Sequence, residues 1–92
     1  MKSIMQSKKE CFICGYQRDL EEHHVFFGSA NRKNSTKFGT VCWLCVPHHR
    51  GGKYSAHMNR EVDLYLKKEA QKKFEEEHSH EEFMEVFGKN YG

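Results

Sequence analysis

The residues able to do chemistry in this chain are its four cysteines and seven histidines, and their spacing is informative. Cys11 and Cys14 are separated by two residues; His23 and His24 are adjacent; Cys45 and His48 are again separated by two residues, with His49 next in the chain. A tetrahedral zinc takes about four sulfur or nitrogen ligands, supplied as short-spaced pairs from two stretches of backbone. Cys11 with Cys14 and Cys45 with His48 make two such pairs. His23, His24 and His49 are then left over, enough donors for a second, reactive metal site. Cys42 opens a rival register, because Cys42 and Cys45 would complete a four-cysteine site with Cys11 and Cys14 and release both His48 and His49.

The remaining composition sets the frame for those ligands. Ninety-two residues, 37% of them hydrophobic, make one small domain whose core is marginal without a staple. An even cysteine count also fits a disulfide framework. Against that stand the histidine-rich spacing and a polar N-terminus, MKSIMQSKKE, without an apolar leader segment, which together predict reduced cysteines and a cytoplasmic protein. The longest apolar run, Val41 to Val46, is too short to span a membrane. Net charge is only +2, but Arg32, Lys33 and Lys37 fall in a stretch without acids, and Arg50, Lys53 and Arg60 follow the second histidine pair. Acids gather at 75–85. A phosphate-facing side and a solvated far side would account for this distribution.

The elements that must position the ligands can be read in order. Residues 1–10 look like a frayed polar leader. Cys11 to Tyr16 reads as a zinc knuckle with Gly15 permitting its tight turn. Glu22 to Phe27 is rich in β-formers and predicts a strand; residues 28–37, GSANRKNSTK, read as a loop; Phe38 to Leu44 predicts a second strand, antiparallel to the first. Pro47 suits the first turn of a helix beginning near 46–47, which Gly51 and Gly52 should end. From Asn59, a good N-cap, Val62, Leu66, Ala70 and Phe74 recur at four-residue spacing and predict an amphipathic helix of roughly four to five turns. Ser79 and Glu82 form a capping box opening a last helix with Phe83, Val86 and Phe87 on its apolar face and Gly88 as its stop. The expected architecture is α+β: a zinc-stapled core over 11–58, followed by two helices over 59–92. Trp43 and Phe38 are expected in the core, with His78 and His80 solvated.

A knuckle, then strand, loop, strand and helix, resembles the HNH, or ββα-metal, endonuclease family over about residues 11–57. Members carry C-x2-C, then [DH]-H in the first strand, then N-x3-L-C-x2-C-H entering the helix. The matching residues are Cys11 and Cys14; His23 and His24; and Thr40, Leu44, Cys45, His48 and His49. His48 stands where the family has a cysteine, a harmless exchange of zinc ligands. Thr40 stands where it has an asparagine, so Asn31 or Asn34 would have to brace the loop. In the family register the helix histidine lies four residues after the third zinc ligand, which is His49 if that ligand is Cys45 and Val46 if it is Cys42. The loop and the tail EEFMEVFGKNYG are more specifically similar to small phage-type HNH proteins of the recombination-enhancement kind, which act with a bacterial recombinase.

The resemblance implies a structural zinc at Cys11, Cys14, Cys45 and His48, and a divalent ion such as Mg2+, Mn2+ or Zn2+ at His23 and His49. His57 would fold back to join that second site or cap the Asn59 helix. It implies His24 as general base, with Thr40 in the catalytic set, and DNA as substrate. An imidazole, ordinarily titrating near roughly 6.5, is suited to taking a proton from water. Arg32, Lys33, Lys37, Arg50 and Lys53 would hold the DNA backbone, contacts that carry little sequence information. A recombinase–DNA filament is the partner implied, in a bacterial or phage-encoded setting. A second reading, a non-catalytic zinc-stapled DNA- or protein-binding module, accounts for the cysteines and the basic stretch but leaves His23, His24 and His49 without work. A third is a structural mini-domain of a larger assembly.

Overall fold

The computed structural model describes residues 1–92 as β1 (Leu20–His24), α1 (Ser29–Phe38), β2 (Val41–Cys45), a wide five-residue helical turn (Pro47–Gly51), α2 (Arg60–Glu77) and α3 (His80–Phe87). The two strands pair antiparallel, with Glu21 opposite Leu44, His23 opposite Cys42 and His24 opposite Val41. The class is α+β, and no helix is long and apolar enough to cross a membrane.

A two-stranded sheet cannot bury enough apolar surface to stand alone, so the helices supply the core. Leu66, Ala70 and Phe74 line the inner face of α2, and Phe83 and Phe87 that of α3. They meet Phe26, just past the end of β1, whose ring lies 4.3 Å from Phe87 and 5.5 Å from Phe83. The helix ends follow their sequence signals. Asn59 accepts from the Val62 N–H at the start of α2. Ser79 and Glu82 form the reciprocal capping box of α3, and Gly88 closes it.

Several expectations are corrected. Residues 28–37 are not a loop: α1 occupies them despite five Ser, Asn and Thr side chains between Ser29 and Thr36. Weak helix propensity is overridden here by tertiary pins. The buried Ser35 hydroxyl donates to the Phe26 carbonyl at 2.7 Å and accepts from the Phe26 N–H at 3.1 Å. The Asn34 amide reaches the Val86 carbonyl at 3.1 Å, and Phe38 packs on Phe74. The same Ser35 contacts explain why β1 stops at His24 rather than reaching Phe27, because they take the backbone groups that would have continued the ladder. Gly39 ends α1 in the left-handed region (φ 78°), and a Cβ there would press on Ile4 and the Lys2 carbonyl at 3.1 Å.

Residues 1–10, in turn, are not a frayed leader. Met5 is buried, the Ile4 N–H donates to the Gly39 carbonyl at 2.9 Å, the Ser3 hydroxyl donates to the Val41 carbonyl, and Gln6 accepts from the Trp43 N–H at 2.6 Å. Trp43 is only half-buried, on the outer side of β2 with Lys9 over its ring, instead of in the core. Its register partner is Glu22, so its side chain stands on the face of the ribbon away from Cys42 and Leu44. Phe38 is partly buried against the core, His80 is exposed, and His78 stacks on Phe74 at 4.4 Å.

Replacing Ser35 with Ala removes a donor and an acceptor from the buried Phe26 backbone. Leaving such groups unpaired costs about 1–3 kcal/mol, so the urea midpoint of Ser35→Ala should drop accordingly. An unchanged midpoint would mean that α1 is not held through this residue.

Candidate metal centres

Each metal-ligand group is assembled by a local backbone device. In the knuckle the Gly15 N–H donates to the Cys11 carbonyl and the Cys11 N–H to the Tyr16 carbonyl, both at 2.8 Å. Gly15 takes a positive φ of 79°, a conformation that costs glycine little. Knuckle and β2 are joined by the Phe12 N–H donating to the Trp43 carbonyl at 2.8 Å, which brings Cys11 and Cys14 to the end of β2, where Cys45 and His48 wait. The ligand atoms of Cys11, Cys14, Cys45 and His48 all lie within 4.8 Å of one another.

The spacing fits one tetrahedral ion. Zn–S near 2.3 Å and Zn–N near 2.0–2.1 Å imply donor-to-donor edges of roughly 3.3–3.8 Å. The Cys14 and Cys45 sulfurs are 3.7 Å apart, and His48 Nδ1 lies 3.2 Å from Cys45 Sγ and 3.8 Å from Cys11 Sγ. All four cysteines are free thiols, so this cluster could hold a metal such as zinc. Burial acts to raise the Cys11 thiol, but backbone hydrogen bonds at Cys45, Cys14 and Ile13 outweigh it and bring it down to about 6, which favours the thiolate a metal needs. Cys42 lies outside the cluster. It is wholly buried in the core, and burial pushes its thiol up to about 12, so it behaves as a small apolar residue.

The second group lies on the other side of the Pro47–Gly51 turn. The 52–58 segment folds back along that turn, with the Ala56 N–H donating to the His48 carbonyl at 2.7 Å and the His57 N–H to the His49 carbonyl at 3.1 Å. This return carries His57 to His49, and their Nε2 atoms are 3.1 Å apart. His23 reaches them from β1, its ring centroid 5.1 Å from His49 and 5.2 Å from His57. The three could hold a metal ion. His57 therefore joins His23 and His49, while it is Asn59 that caps α2.

Two further observations fit an ion at this place. His23 is 1% exposed and its Nε2 has no hydrogen-bond partner; buried polar nitrogens are rarely left so. Burial, followed by the nearby His49, His57, Lys67 and His24, lowers His23 to about 3, leaving a neutral imidazole with a lone pair to donate. His49 is oriented from behind, its Nδ1 lying 2.8 Å from Glu21 Oε1. Glu21 also receives two guanidinium nitrogens of Arg50 at 2.8–3.1 Å; those hydrogen bonds, with that of His49, hold the carboxyl down to about 2. Carboxylates in this position fix the tautomer and raise the basicity of a metal-binding imidazole. Sequence reasoning missed Glu21, although its place two residues before His23 puts both on one face of a strand.

His24 faces away from His23 along the strand but borders the same cavity, about 190 Å³ in volume, with His49, His57 and Arg32 around it. Its Nε2 lies 3.0 Å from the Thr36 hydroxyl and 3.5 Å from Glu22 Oε1. Thr36 in turn lies 3.3 Å from the Arg32 carbonyl. A hydroxyl donating to that carbonyl would turn a lone pair toward His24 Nε2, the geometry that suits an Nε2–H donor with Nδ1 as acceptor.

The remaining candidates are distributed differently. Thr40 is fully buried, its Oγ1 unpartnered, and cannot touch a substrate. Its backbone braces the crossover instead, accepting from the Val25 N–H and donating to the Ser35 carbonyl; bracing by side chains comes from Ser35 and Asn34, and not from Asn31. Arg50 gives its guanidinium to Glu21 rather than standing free for phosphate. Lys37 borders a separate cleft with Lys2 and His78, and Lys53 lies over Tyr54. Of the five basic candidates, Arg32 alone borders the histidine cavity.

The two cysteine registers share Cys45 and differ in whether Cys42 is needed. Elemental analysis should find the thiolate-bound metal retained in Cys42→Ala and lost from Cys45→Ser, with Cys45→Ser unfolding at far lower urea. Loss of the metal from Cys42→Ala would move the site to the other register.

Comparison of the chain with family models, with curated proteins and with solved structures returns no match.

Proposed function

We propose that this chain is a metal-dependent endonuclease of the HNH type, hydrolysing DNA phosphodiester bonds with little intrinsic sequence preference. The observation that carries the reading is the convergence of His23, His49 and His57 on one point beside His24 and Arg32 in a single open cavity. A cluster meant only for folding is closed by four ligands, whereas a catalytic one keeps a position free. The cysteine-containing cluster has four donors and the histidine cluster three, so we assign a structural zinc to the first and the catalytic ion to the second. An all-imidazole set favours zinc or another transition ion over magnesium, which prefers oxygen.

The ion, when bound, supplies a Lewis acid for charge developing at the phosphate and its leaving oxygen. The protein's own residues do the rest. His24, with its proton held on Nε2 by Thr36 and Glu22, accepts a proton at Nδ1 from the attacking water. Arg32 draws the phosphate to the cavity mouth. Glu21, held by Arg50, keeps the His49 ring turned inward. Charge stabilisation and positioning carry most phosphoryl-transfer catalysis, so one base and one charged centre suffice. The partner reading, a recombinase–DNA filament, rests on the resemblance of the basic stretch and tail and would supply the targeting that backbone contacts lack.

Nicking of supercoiled plasmid with added divalent ions is the direct test. His24→Ala should lose about 10²- to 10⁴-fold in rate while binding metal and DNA nearly as before. His57→Ala should weaken metal binding, with activity partly restored by excess ion. A wild type that cuts nothing with any divalent ion, yet binds DNA, would replace the enzyme by the binding module. Arg32→Ala with Lys33→Ala should also reduce the slope of log affinity against log salt by roughly one to two; an unchanged slope would put the DNA on another face.

A further inference from the structure

His49 and His57 face the same point, yet only one of them has a visible orienting partner. Arg50 grips Glu21, and Glu21 turns His49. On the opposite side stands the same pair of charge types. Lys67 donates to Asp63 Oδ2 at 2.8 Å, an ion pair whose members are only 8% and 6% exposed. Asp63 Oδ1 has no partner at all. An ionised carboxylate this buried with a vacant oxygen is costly unless something takes it. Asp63 and His57 border one cavity of about 350 Å³, with Phe27 and Asn59 at its walls.

The tautomers say what should take it. The His49 proton sits on Nδ1, toward Glu21, so His49 Nε2 is a bare lone pair. Without an ion, His57 can sit 3.1 Å from that lone pair only by donating from its own Nε2. To ligate through Nε2, His57 must carry its proton on Nδ1 instead, and that nitrogen makes no hydrogen bond within the protein. The metal-bound state therefore creates one new donor on His57, which shares a cavity with Asp63, the residue whose Oδ1 is vacant.

We propose that Asp63 is a positioning residue for His57: its vacant Oδ1 accepts the His57 Nδ1–H once Nε2 ligates, with Lys67 fixing the carboxylate from the far side. The chain thus carries two cation–carboxylate–histidine relays, Arg50–Glu21–His49 and Lys67–Asp63–His57, aimed at one ion from β1 and from α2. Lys67 is steadied in turn by the Phe27 ring, 4.2 Å from its Nζ. This inference rests on the reading of His23, His49 and His57 as a metal centre.

The test uses full-length protein with one equivalent of zinc in the cysteine cluster, titrated with cobalt(II) and read by the visible absorption of the imidazole-bound ion. Asp63→Asn should bind cobalt about 10- to 100-fold more weakly, the usual range for losing such a partner. Because Asp63→Asn leaves Lys67 buried without a counter-charge, Asp63→Asn with Lys67→Met provides a variant with no buried charge, and it should show the same loss. In zinc-loaded wild type, NMR of labelled histidines should find His57 protonated at Nδ1 in a slowly exchanging hydrogen bond. Wild-type cobalt affinity in both variants, with affinity still lost in His57→Ala, would overturn the Asp63 role and leave the metal centre standing. A fast-exchanging His57 Nδ1–H would overturn it too. A wild type that takes up no second ion would overturn both readings, a different signature.

Discussion

The fold hangs on joining two stretches of chain that are far apart in sequence. The knuckle contributes Cys11 and Cys14; the end of β2 and the turn after it contribute Cys45 and His48. Between them lie both strands and α1. A ribbon of two five-residue strands has no means of fixing its ends by packing alone, and the aromatic cluster around Phe26 lies toward the helices. An ion at the four-ligand cluster would clamp the end that the aromatic core does not reach. This division, with helices packing one end and ligands clamping the other, explains how a chain with so few apolar residues positions side chains closely.

The same clamp bears on the second cluster. His48 and His49 are neighbours on one short turn, and each belongs to a different ligand group. The pairing of 56–57 along 48–49 then ties His57 to the same backbone. Whatever fixes His48 also fixes the turn from which His49 projects. Three imidazoles converge there: His23 is held neutral by its burial, and Glu21 stands behind His49. Such a group could hold a metal ion.

Ligand spacing was legible in the sequence because metal chemistry constrains it tightly. Spacing marks Cys11, Cys14 and Cys45 as ligands and leaves His48 and Cys42 as alternatives for the fourth, and the α2 and α3 boundaries follow from Asn59, Ser79 and Gly88, whose capping chemistry is local. What was hidden depended on partners distant in sequence. The helix over 29–38 is made by Ser35 and Asn34 reaching Phe26 and Val86, which no window of neighbouring residues can reveal. Glu21 and Asp63 look like two of many surface acids until the strand register and the first turn of α2 place them near histidines. His57 had two readings in the sequence, ligand or cap, and the return of the 52–58 segment is what brings it to His49. Thr40 illustrates the opposite error: a motif position suggested chemistry, and burial leaves it only a backbone role.

The first six residues have an effect beyond their small buried area. A strand at the margin of a sheet offers bare N–H and C=O groups on which another chain can template itself. On β2 those outward groups are already engaged: Ser3 takes the Val41 carbonyl, Gln6 the Trp43 N–H, and Phe12 the Trp43 carbonyl. Two of the three are side-chain contacts, so the margin is sealed without a third strand being laid down, and the seal does not pass the template on to a new edge. A ribbon this short and this rich in Val, Cys, Trp and Leu would otherwise be a natural seed for self-association. Its polar lead-in makes β2 a poor template for a second copy of the chain.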